Sequence, residues 1–310
     1  MQIYFNHNGL TDFSEETKHF LKMELSSVSF TFAPETNYNA DIIVSYSMTL
    51  VNLNLDDFPR LKMIHLLNTG YDELDLSYLK KRNIRLINAR ATSKVAIAEF
   101  VIGQILNMNY NFTLYHDFQD QKIWRRHYTS IELEDSTCLI IGAGAIGQAI
   151  AKRLKAFNVK SSCYRRKPGK TPNFANVYTD LDEVKALLPS FDYVIMALPS
   201  TPETRKMINY SWFKKMNPNA LFINIARGDL IIEDDLSKAL TNKLIRGAIL
   251  DVTTKEPLPI ESPLWEQERV LITPHISFYS DKYLENVITL LISNLQKYFN
   301  GRRIPTEIKL

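Results

Sequence analysis

The sequence predicts an α/β protein of two domains, each formed around a doubly wound parallel sheet. Three observations predict this class. The 310 residues are enough for about two domains of ordinary size. Apolar runs of strand length alternate with helical patterns along the chain. One of these runs leads directly into a glycine-rich loop that opens a helix.

Eight apolar runs are the predicted strands. They occupy residues 40–46, 61–67, 84–89, 137–144, 193–199, 220–227, 247–252 and 270–276. Each run is almost wholly apolar rather than alternating, which is typical of strands that helices cover on both faces. The helical patterns between the runs indicate parallel strands joined by helical crossovers.

Two long helices are predicted beside these strands. Residues 95–116 contain no proline and keep apolar residues at helical spacing, so we expect one helix that connects the domains. Residues 281–299 form a second amphipathic helix, and Asn300-Gly301 is a typical helix stop.

The domain boundaries follow from the two sets of strands. The strands before residue 95 form one set and those from residue 137 to 276 form another. Because the last helix is expected to return to the first set, we expect a first domain of residues 1–98 plus 283–310. The second domain is then residues 99–282.

Composition and charge exclude several classes of protein. With 45% hydrophobic and 23% charged residues, the chain is neither disordered nor fibrous. The net charge of +3 gives no basic field for nucleic acid. The first ten residues show no basic segment followed by an apolar one, so no secretion signal is expected, and no apolar run approaches the roughly 18 residues of a membrane span. We expect a cytoplasmic protein with no membrane or nucleic-acid partner.

The cysteines and histidines predict neither disulfides nor a metal site. Cys138 and Cys163 both fall in apolar stretches and are too few for a disulfide framework or a zinc cluster. We therefore expect two buried thiols. The six histidines show no HExxH motif and no paired-ligand spacing, so no metal is expected.

The glycine loop has the GxGxxG arrangement between a strand and a helix. We expect a dinucleotide site formed by Gly142, Gly144, Ala145, Ile146 and Gly147. The first glycine permits the tight turn, the second lets a pyrophosphate approach the backbone, and the third lets the helix pack closely. The helix N-terminus adds free N–H groups and partial positive charge. The alternative is that these glycines only end a strand.

The cofactor preference is predicted from the end of the next strand, residues 159–164. An NAD site usually has a carboxylate there for the ribose 2′-hydroxyl. This chain instead has Arg165, Arg166 and Lys167, and arginine can bind a 2′-phosphate with two hydrogen bonds. We expect NADP(H) to be preferred, with NAD(H) possible. The alternative is a solvated basic turn.

Three further strands end in polar residues that suit hydride chemistry. Arg227, Glu256 and His275 follow runs whose carboxyl ends should meet at one edge of a sheet. Hydride transfer to a 2-oxo acid needs a cation for the carboxylate and carbonyl, and arginine serves best. It also needs a proton donor, and histidine titrates near neutral pH. A neighbouring carboxylate would stabilise the imidazolium.

Seven ordered segments give the chain a family resemblance over nearly its whole length. They are LLNTGYDELDL, NARATSKVAIAEF, IIGAGAIG, LPSTPETRKMIN, NIARGDLI, DVTTKEPLP and TPHIS. The chain resembles the D-isomer-specific 2-hydroxyacid dehydrogenase family. The resemblance implies two Rossmann-like domains with an interdomain cleft, the first of them flavodoxin-like and substrate-binding. It also implies a homodimer held largely through the cofactor domain.

The resemblance also implies roles for individual residues. Arg227 would orient the substrate, Glu256 would be the partner of the histidine, and His275 would be the general acid and base. Asp251 matches a position close to the nicotinamide carboxamide, and Thr69 and Gly70 match the pair whose N–H groups receive the substrate carboxylate. The expected cofactor contacts beyond the glycine loop and Arg165-Arg166 are Pro199, Ser200, Thr204, Ile225, Ala226, Arg227, Asp251 and His275.

The chain departs from the family pattern around the predicted substrate pocket. The family's frequent aromatic and acidic residues after Asp-Val are Thr253 and Thr254 here. The small residue often found shortly after the histidine is replaced by Phe278 and Tyr279. Ser93 stands where many relatives have asparagine. These changes leave the reaction class intact and affect the pocket.

The predicted function is reduction of a small 2-oxo acid, such as glyoxylate or hydroxypyruvate, by NADPH to a D-2-hydroxy acid. An NAD-dependent enzyme similar to 3-phosphoglycerate dehydrogenase is the alternative within the class, and formate dehydrogenase is less favoured because it has no need of the basic turn. A non-enzymatic nucleotide-sensing corepressor would not need Arg227, Glu256 and His275 together. A methyltransferase would explain neither Arg227 nor His275.

Overall fold

The computed structural model describes residues 1–6, 13–126 and 129–310 and divides into two compact units. The first unit contains residues 1–92 and 281–310, and the second contains residues 93–280. The boundaries fall a few residues earlier than the expected 98/99 and 282/283. The helix that was expected to connect the domains therefore belongs wholly to the second unit.

The described residues form thirteen strands in two sheets. They are β1 (Gln2–Asn6), β2 (Ser29–Phe32), β3 (Ile42–Ser45), β4 (Met63–Leu66), β5 (Arg85–Ile87), β6 (Thr137–Ile141), β7 (Lys160–Tyr164), β8 (Asn176–Tyr178), β9 (Tyr193–Met196), β10 (Leu221–Asn224), β11 (Gly247–Leu250), β12 (Val270–Ile272) and β13 (Glu307–Ile308). Each of the eight predicted runs contains a strand, and β7 ends at Tyr164 as expected. Strands β1, β2, β8 and β13 lie outside the eight predicted runs.

Ten α-helices lie in the same described residues. They are α1 (Glu15–Glu24), α2 (Ser47–Leu50), α3 (Leu76–Lys81), α4 (Lys94–Tyr110), α5 (Phe112–Asp120), α6 (Ala145–Leu154), α7 (Leu181–Leu187), α8 (Tyr210–Phe213), α9 (Glu233–Thr241) and α10 (Tyr283–Phe299). The last of these confirms the predicted C-terminal helix, which ends at Asn300 before Gly301 with φ +61°.

The prediction of one helix over residues 95–116 is wrong, because the chain breaks at Asn111. This residue has φ 56° and ψ 42°, the left-handed conformation, and its N–H bonds to the carbonyl of Asn107 to end α4. Asparagine adopts this conformation more readily than most residues with a side chain. The helix therefore ends without proline or glycine, and α5 starts at the next residue.

The sheet of the first unit has the order β13-β5-β4-β3-β1-β2. Strands β1 to β5 are parallel and, read from β2, follow the flavodoxin-like order 2-1-3-4-5. Strand β13 pairs with β5 in the antiparallel direction. The exception is a two-residue edge strand contributed by the C-terminal segment.

The sheet of the second unit has the order β12-β11-β10-β9-β6-β7-β8, and every pair is parallel. The chain runs outward from β6 through β7 and β8, then returns to the other side of β6 and continues through β9 to β12. The strand order therefore reverses between β6 and β9. In open α/β sheets, ligands bind at the carboxyl ends of the strands at such a switch point.

Helices cover both faces of this second sheet. One apolar cluster joins the sheet to α7, α8 and α9 through side chains such as Trp212 and Leu236. A second cluster joins the other face to α4 and α6 through side chains such as Val101 and Ile150. The doubly wound α/β architecture that the apolar runs predicted is confirmed.

The two cysteines are buried free thiols, as the sequence predicted. Burial raises the pKa of the Cys163 thiol to about 11. No helix in the described part of the chain has the length and hydrophobicity to cross a bilayer.

A buried aspartate, Asp41, links the amino-terminal ends of β1, β3 and β4 in the first unit by hydrogen bonds. Asp41 is 2% exposed, and its side chain accepts hydrogen bonds from the Gln2 backbone N–H at 2.9 Å and from Arg60 Nη2 at 3.2 Å. Its backbone carbonyl accepts from the Lys62 N–H, which precedes β4. Burial alone would raise the pKa of Asp41, but these hydrogen bonds and the charge of Arg60 leave it below its ordinary value.

We expect Asp41 to make the protein sensitive to acid. Because the folded-state pKa lies below the unfolded-state value of about 3.9, the stabilisation is complete above that value and is lost as pH falls through the folded-state pKa. Asp41→Asn should lower the free energy of unfolding at pH 7 by about 1–3 kcal/mol. Urea denaturation from pH 7 to pH 3 should show a smaller loss of stability in this variant than in wild type. The exposed Glu24→Gln variant is the control, and equal pH dependence in all three proteins would contradict the role.

Candidate functional site

The glycine loop after β6 is packed too tightly for side chains at two positions. Gly142 has φ +120°, and a Cβ there would collide with the Ala197 backbone at the end of β9. A Cβ on Gly147 would collide with the Gly142 carbonyl, so α6 packs directly on the loop. The Gly142 N–H also donates to the Tyr164 carbonyl at 3.0 Å. These contacts fix the loop between β7 and β9.

The middle glycine faces open space instead. A Cβ on Gly144 would have no atom within 4 Å, and Gly144 precedes α6 without a side-chain capping hydrogen bond. The first residues of the helix, Ala145 and Ile146, therefore present their N–H groups beside an accessible backbone surface. This arrangement fits a diphosphate, because the helix terminus supplies donors and partial positive charge. The residues present thus suit a dinucleotide.

The basic turn begins at the end of β7, next to this loop. The Arg165 N–H still pairs with the Tyr178 carbonyl of β8 at 3.0 Å. Its guanidinium lies against Gly169, where an added Cβ would be 2.6 Å from Nη1. Arg166 is exposed, and its charge adds to a hydrogen bond from Thr201 in lowering the pKa of the Glu203 carboxyl. Of these two arginines, Arg165 is the one that is partly buried and packs against Gly169.

The loop after β9 is fastened to the turn after β10. Ser200 Oγ donates to Asp229 Oδ2 at 2.8 Å, and Arg205 Nε lies 3.1 Å from the same oxygen. Thr204 Oγ1 donates to the Pro199 carbonyl at 2.9 Å. The hydroxyl groups of Ser200 and Thr204 therefore shape this loop within the protein.

The turn that carries Arg227 is shaped by a buried asparagine. Asn224 Oδ1 accepts from the Ala226 N–H at 3.1 Å, and Nδ2 donates to the Arg227 carbonyl at 2.8 Å. These bonds enclose Ile225 and set the direction in which Arg227 leaves the strand. Sequence reasoning did not assign Asn224 a role, although an asparagine that ends an apolar strand is a recognisable turn signal.

Gly228 brings the Arg227 turn against the loop after β11. A Cβ on Gly228 would collide with the backbone of Thr253 and Thr254. The two main chains are therefore in contact, and any side chain at Gly228 would separate Arg227 from the segment that leads to Glu256. The sequence gives no direct signal for this contact.

Glu256 and His275 form the hydrogen bond that the sequence predicted. Glu256 Oε2 lies 2.8 Å from His275 Nδ1, and Oε1 accepts from the Thr253 N–H at 3.1 Å. Burial acts to raise the pKa of Glu256, but the His275 contact, the Thr253 N–H and the charge of Arg227 outweigh it and lower the pKa. The carboxylate is thus ionised at neutral pH. Because it contacts Nδ1, the other ring nitrogen, Nε2, is the one that can exchange a proton with a ligand.

Asp251 is the first residue after β11 and is 1% exposed. Its carboxylate accepts hydrogen bonds from the segment around His275. The structure therefore places Asp251 at the same edge as Glu256 and His275, and its carboxylate contacts the backbone of the turn that carries the histidine.

Thr69 and Gly70 follow β4 at the carboxyl edge of the first unit's sheet. Their carbonyls accept hydrogen bonds from Asn88 Nδ2 at 2.7 Å and Asn68 Nδ2 at 3.0 Å, respectively. Their backbone N–H groups donate to no acceptor within residues 1–6, 13–126 and 129–310. The segment is therefore held through its carbonyls while two donors are left for a ligand.

The second sheet brings the remaining predicted residues to one edge. Reading along the carboxyl ends from β12 to β7, the order is His275, then Asp251 and Glu256, the Arg227 turn, the Ser200 loop, the glycine loop and Arg165. No cluster of histidine, cysteine, aspartate or glutamate suited to a metal ion occurs in the described part of the chain. His7 and His127 lie outside the described residues.

Comparison with known proteins agrees with this arrangement. Residues 102–277 match the family model described as D-isomer specific 2-hydroxyacid dehydrogenase, NAD binding domain. A mouse protein named glyoxylate reductase/hydroxypyruvate reductase is 33% identical over 259 residues, which are 81% of this chain and 77% of the mouse protein.

Solved structures show the same fold along the whole chain. A D-isomer specific 2-hydroxyacid dehydrogenase family protein from Aeromonas salmonicida has a TM-score of 0.89 at 27% identity, over 99% of this chain and 98% of that one. An NADPH-dependent glyoxylate/hydroxypyruvate reductase from Sinorhizobium meliloti, solved with NADP and malonate, has a TM-score of 0.81 at 25% identity. The match covers 99% of this chain and 96% of that one. The chain therefore belongs to the D-isomer-specific 2-hydroxyacid dehydrogenase family and is an NAD(P)-dependent oxidoreductase.

Proposed function

We propose that this enzyme uses NADPH to reduce a small 2-oxo acid of the glyoxylate or hydroxypyruvate type to the D-2-hydroxy acid. The observation that carries the proposal is the 2.8 Å contact between Glu256 and His275, at the sheet edge that also holds the Arg227 turn and the glycine loop. The mouse and Sinorhizobium meliloti relatives named above support this choice of substrate.

The three polar residues divide the chemistry of carbonyl reduction among them. A bound reduced nicotinamide supplies the hydride. Arg227 pairs with the substrate carboxylate and polarises the carbonyl. His275 gives a proton from Nε2 to the carbonyl oxygen as the alcohol forms. Glu256 accepts the Nδ1–H hydrogen bond, which fixes the orientation of the ring and leaves Nε2 to face the substrate.

Substrate binding also involves the first unit in this proposal. The Thr69 and Gly70 N–H groups are donors without a protein acceptor in the described residues, and a carboxylate accepts from such a pair readily. We assign them to the substrate carboxylate, as the family resemblance implies.

Preference for NADPH is assigned to Arg165. It follows β7 directly, lies beside the glycine loop and packs against Gly169, whereas Arg166 is exposed. A guanidinium that is already packed against the chain loses less conformational freedom when it binds a phosphate. The relative from Sinorhizobium meliloti that is named NADPH-dependent supports the same preference.

Turnover assays test the reaction and the role of His275. Nicotinamide absorbance is followed with glyoxylate, hydroxypyruvate, pyruvate and phosphohydroxypyruvate, each with NADPH and with NADH. We expect the fastest loss of NADPH with glyoxylate or hydroxypyruvate. His275→Ala should lower kcat roughly 100-fold or more, because general acid catalysis is lost, and should leave NADPH affinity nearly unchanged. His19→Ala, an exposed histidine on α1, is the control.

Two results would contradict these assignments. Preference for phosphohydroxypyruvate would favour an enzyme similar to 3-phosphoglycerate dehydrogenase. A near-normal rate for His275→Ala would remove the imidazole from the mechanism.

The cofactor assignment is tested by removing the cations of the basic turn one at a time. Arg165→Ala should lower kcat/KM for NADPH by about 10-fold to 100-fold, the scale of a lost hydrogen bond to a charged group, and change that for NADH by less than about twofold. Lys170→Ala removes an exposed cation of the same segment and is the matched control. Equal losses with both cofactors would indicate a structural role. No loss in any of Arg165→Ala, Arg166→Ala and Lys167→Ala would mean that the turn is only solvated.

We also propose that the enzyme is a homodimer held through the second unit. The segment from α5 to residue 131 exposes five large apolar side chains: Phe112, Tyr115, Ile123, Trp124 and Ile131. Trp124 is 99% exposed, which is unusual for tryptophan, and tryptophan is enriched at the centres of interfaces. A second copy of the chain would cover this segment.

The proposed dimer predicts that Trp124→Glu forms monomers at concentrations where wild type is dimeric, because a charge in an apolar interface is not compensated. Light scattering after size exclusion measures the mass of both proteins. Ile260→Glu, at another exposed apolar site of the same unit, should leave the dimer intact. A monomeric wild type, or a Trp124→Glu protein as dimeric as wild type, would refute the assignment.

A further inference from the structure

Asp251 is a buried carboxylate whose hydrogen bonds lead to the turn that carries His275. Oδ1 accepts from Thr273 Oγ1 at 2.7 Å and from the Ile276 N–H at 2.9 Å, while Oδ2 accepts from the Ser277 N–H at 3.1 Å. The Asp251 carbonyl accepts from the His275 N–H at 2.8 Å. One residue therefore holds the chain before, at and after the histidine.

The His275 backbone needs such support. Its φ is +52°, in the left-handed region that side-chain-bearing residues rarely adopt. A non-glycine residue stays in this conformation only where the surrounding structure imposes it. The hydrogen bonds to Asp251 supply that restraint, because two of them lie on the C-terminal side of His275 and one on the N-terminal side.

The left-handed turn also decides where the imidazole points. The ring leaves the backbone at His275 and reaches Glu256, whose own position is set by the Thr253 N–H. Both halves of the pair are thus held from the end of β11, one through Asp251 and the other through Thr253. If the His275 backbone left this conformation, the imidazole would move away from the Glu256 carboxylate and their hydrogen bond would be lost.

We propose that Asp251 is a positioning residue, whose carboxylate fixes the His275 turn and so holds Nδ1 on Glu256 and Nε2 toward the substrate. It acts through His275 rather than on the reacting atoms, so the inference rests on the proposed role of His275 in catalysis. It is distinct from a contact with the nicotinamide carboxamide, which the family resemblance implies for this position. Loss of a cofactor contact would change the affinity for the cofactor. Loss of a positioning contact would instead change the tautomer of His275 and kcat.

Thr273 allows the proposal to be tested without changing Asp251. Among the described residues, its hydroxyl is the side-chain group that donates to that carboxylate. Thr273→Val removes this donor and keeps the branched shape, while Thr273→Ser keeps the donor. Asp251→Asn places an N–H₂ group against a backbone N–H and so loses at least one hydrogen bond.

Asp192 offers a matched control at the opposite edge of the same sheet. It precedes β9, and Oδ2 accepts from the Thr137 N–H and from Thr137 Oγ1, both at 2.9 Å. This carboxylate therefore makes the same kinds of bond as Asp251, far along the strands from His275. Asp192→Asn should weaken the fold without altering the histidine.

The first experiment is ¹⁵N NMR of the full-length protein labelled at histidine, without cofactor. The His275 signals are assigned from their loss in His275→Gln. In wild type and in Thr273→Ser, the neutral ring should carry its proton on Nδ1, because that nitrogen faces Glu256. In Asp251→Asn and Thr273→Val, the Nδ1–H form should decrease in favour of Nε2–H. An unchanged tautomer ratio in both variants would overturn the proposal.

The second experiment separates kcat from cofactor binding. Asp251→Asn should lower kcat by about 10-fold to 100-fold, the scale expected when a reacting group is misplaced by about 1 Å. Thr273→Val should lower it about 3-fold to 10-fold, and Thr273→Ser should restore it to within about twofold of wild type. The Kd for NADPH, measured by fluorescence, should change less than about twofold in each. A raised Kd with unchanged kcat would assign Asp251 to the cofactor and refute positioning.

The two experiments keep the inference separate from the proposed function. If wild type turns over no 2-oxo acid, the proposed function fails, and the tautomer measurement still decides whether Asp251 orients His275. If Asp251→Asn does not fold, Thr273→Val and its Thr273→Ser rescue give the decisive comparison.

Discussion

Parallel pairing of β10, β11 and β12 is the constraint on which the site depends. Neighbouring strands in a sheet lie about 4.8 Å apart, so residues that follow three adjacent strands at the same edge must be close in space. Arg227, Glu256 and His275 are separated along the chain but follow these three strands. The hydrophobic clusters on both faces of the sheet stabilise this pairing. The apolar core therefore determines the positions of the polar residues at the edge.

Pairing alone places the loops, and hydrogen bonds from buried polar residues then fix the side chains. Asn224 shapes the Arg227 turn, and Gly228 lets that turn contact the backbone before Glu256. Neither Asn224 nor Gly228 is itself one of the charged residues; both act on the backbone that carries those residues. A buried polar group without partners would destabilise the fold, and the Asn224 side chain avoids this cost because it bonds to both the Ala226 N–H and the Arg227 carbonyl.

The sequence predicted the parts of the structure that depend on local pattern. Apolar runs identified strands because burial on both faces needs apolar residues, and the glycine spacing identified the β6–α6 loop because two of its glycines have no room for a Cβ. The break at Asn111 was missed because a left-handed asparagine leaves no pattern in the hydrophobic spacing. The strand β8 was missed because it is a three-residue edge strand with exposed positions. The role of Thr273 depends on which loop lies opposite, which the order of residues does not specify.

The two ends of the predicted cofactor site differ in how strongly the fold constrains them. At the His275 end, Glu256 and His275 are half-buried and hydrogen-bonded to each other, and Glu256 also accepts from the Thr253 N–H, so the geometry of the pair is set before any ligand binds. At the Arg165 end, the cations lie in a short turn, and two of them, Arg166 and Lys167, are exposed. Charges exposed to water are screened by salt and contribute little to folding. We therefore expect substitutions in the basic turn to cost little stability, whereas substitutions around His275 would disturb both the hydrogen bonds that hold its turn and the hydrogen bond of its ring.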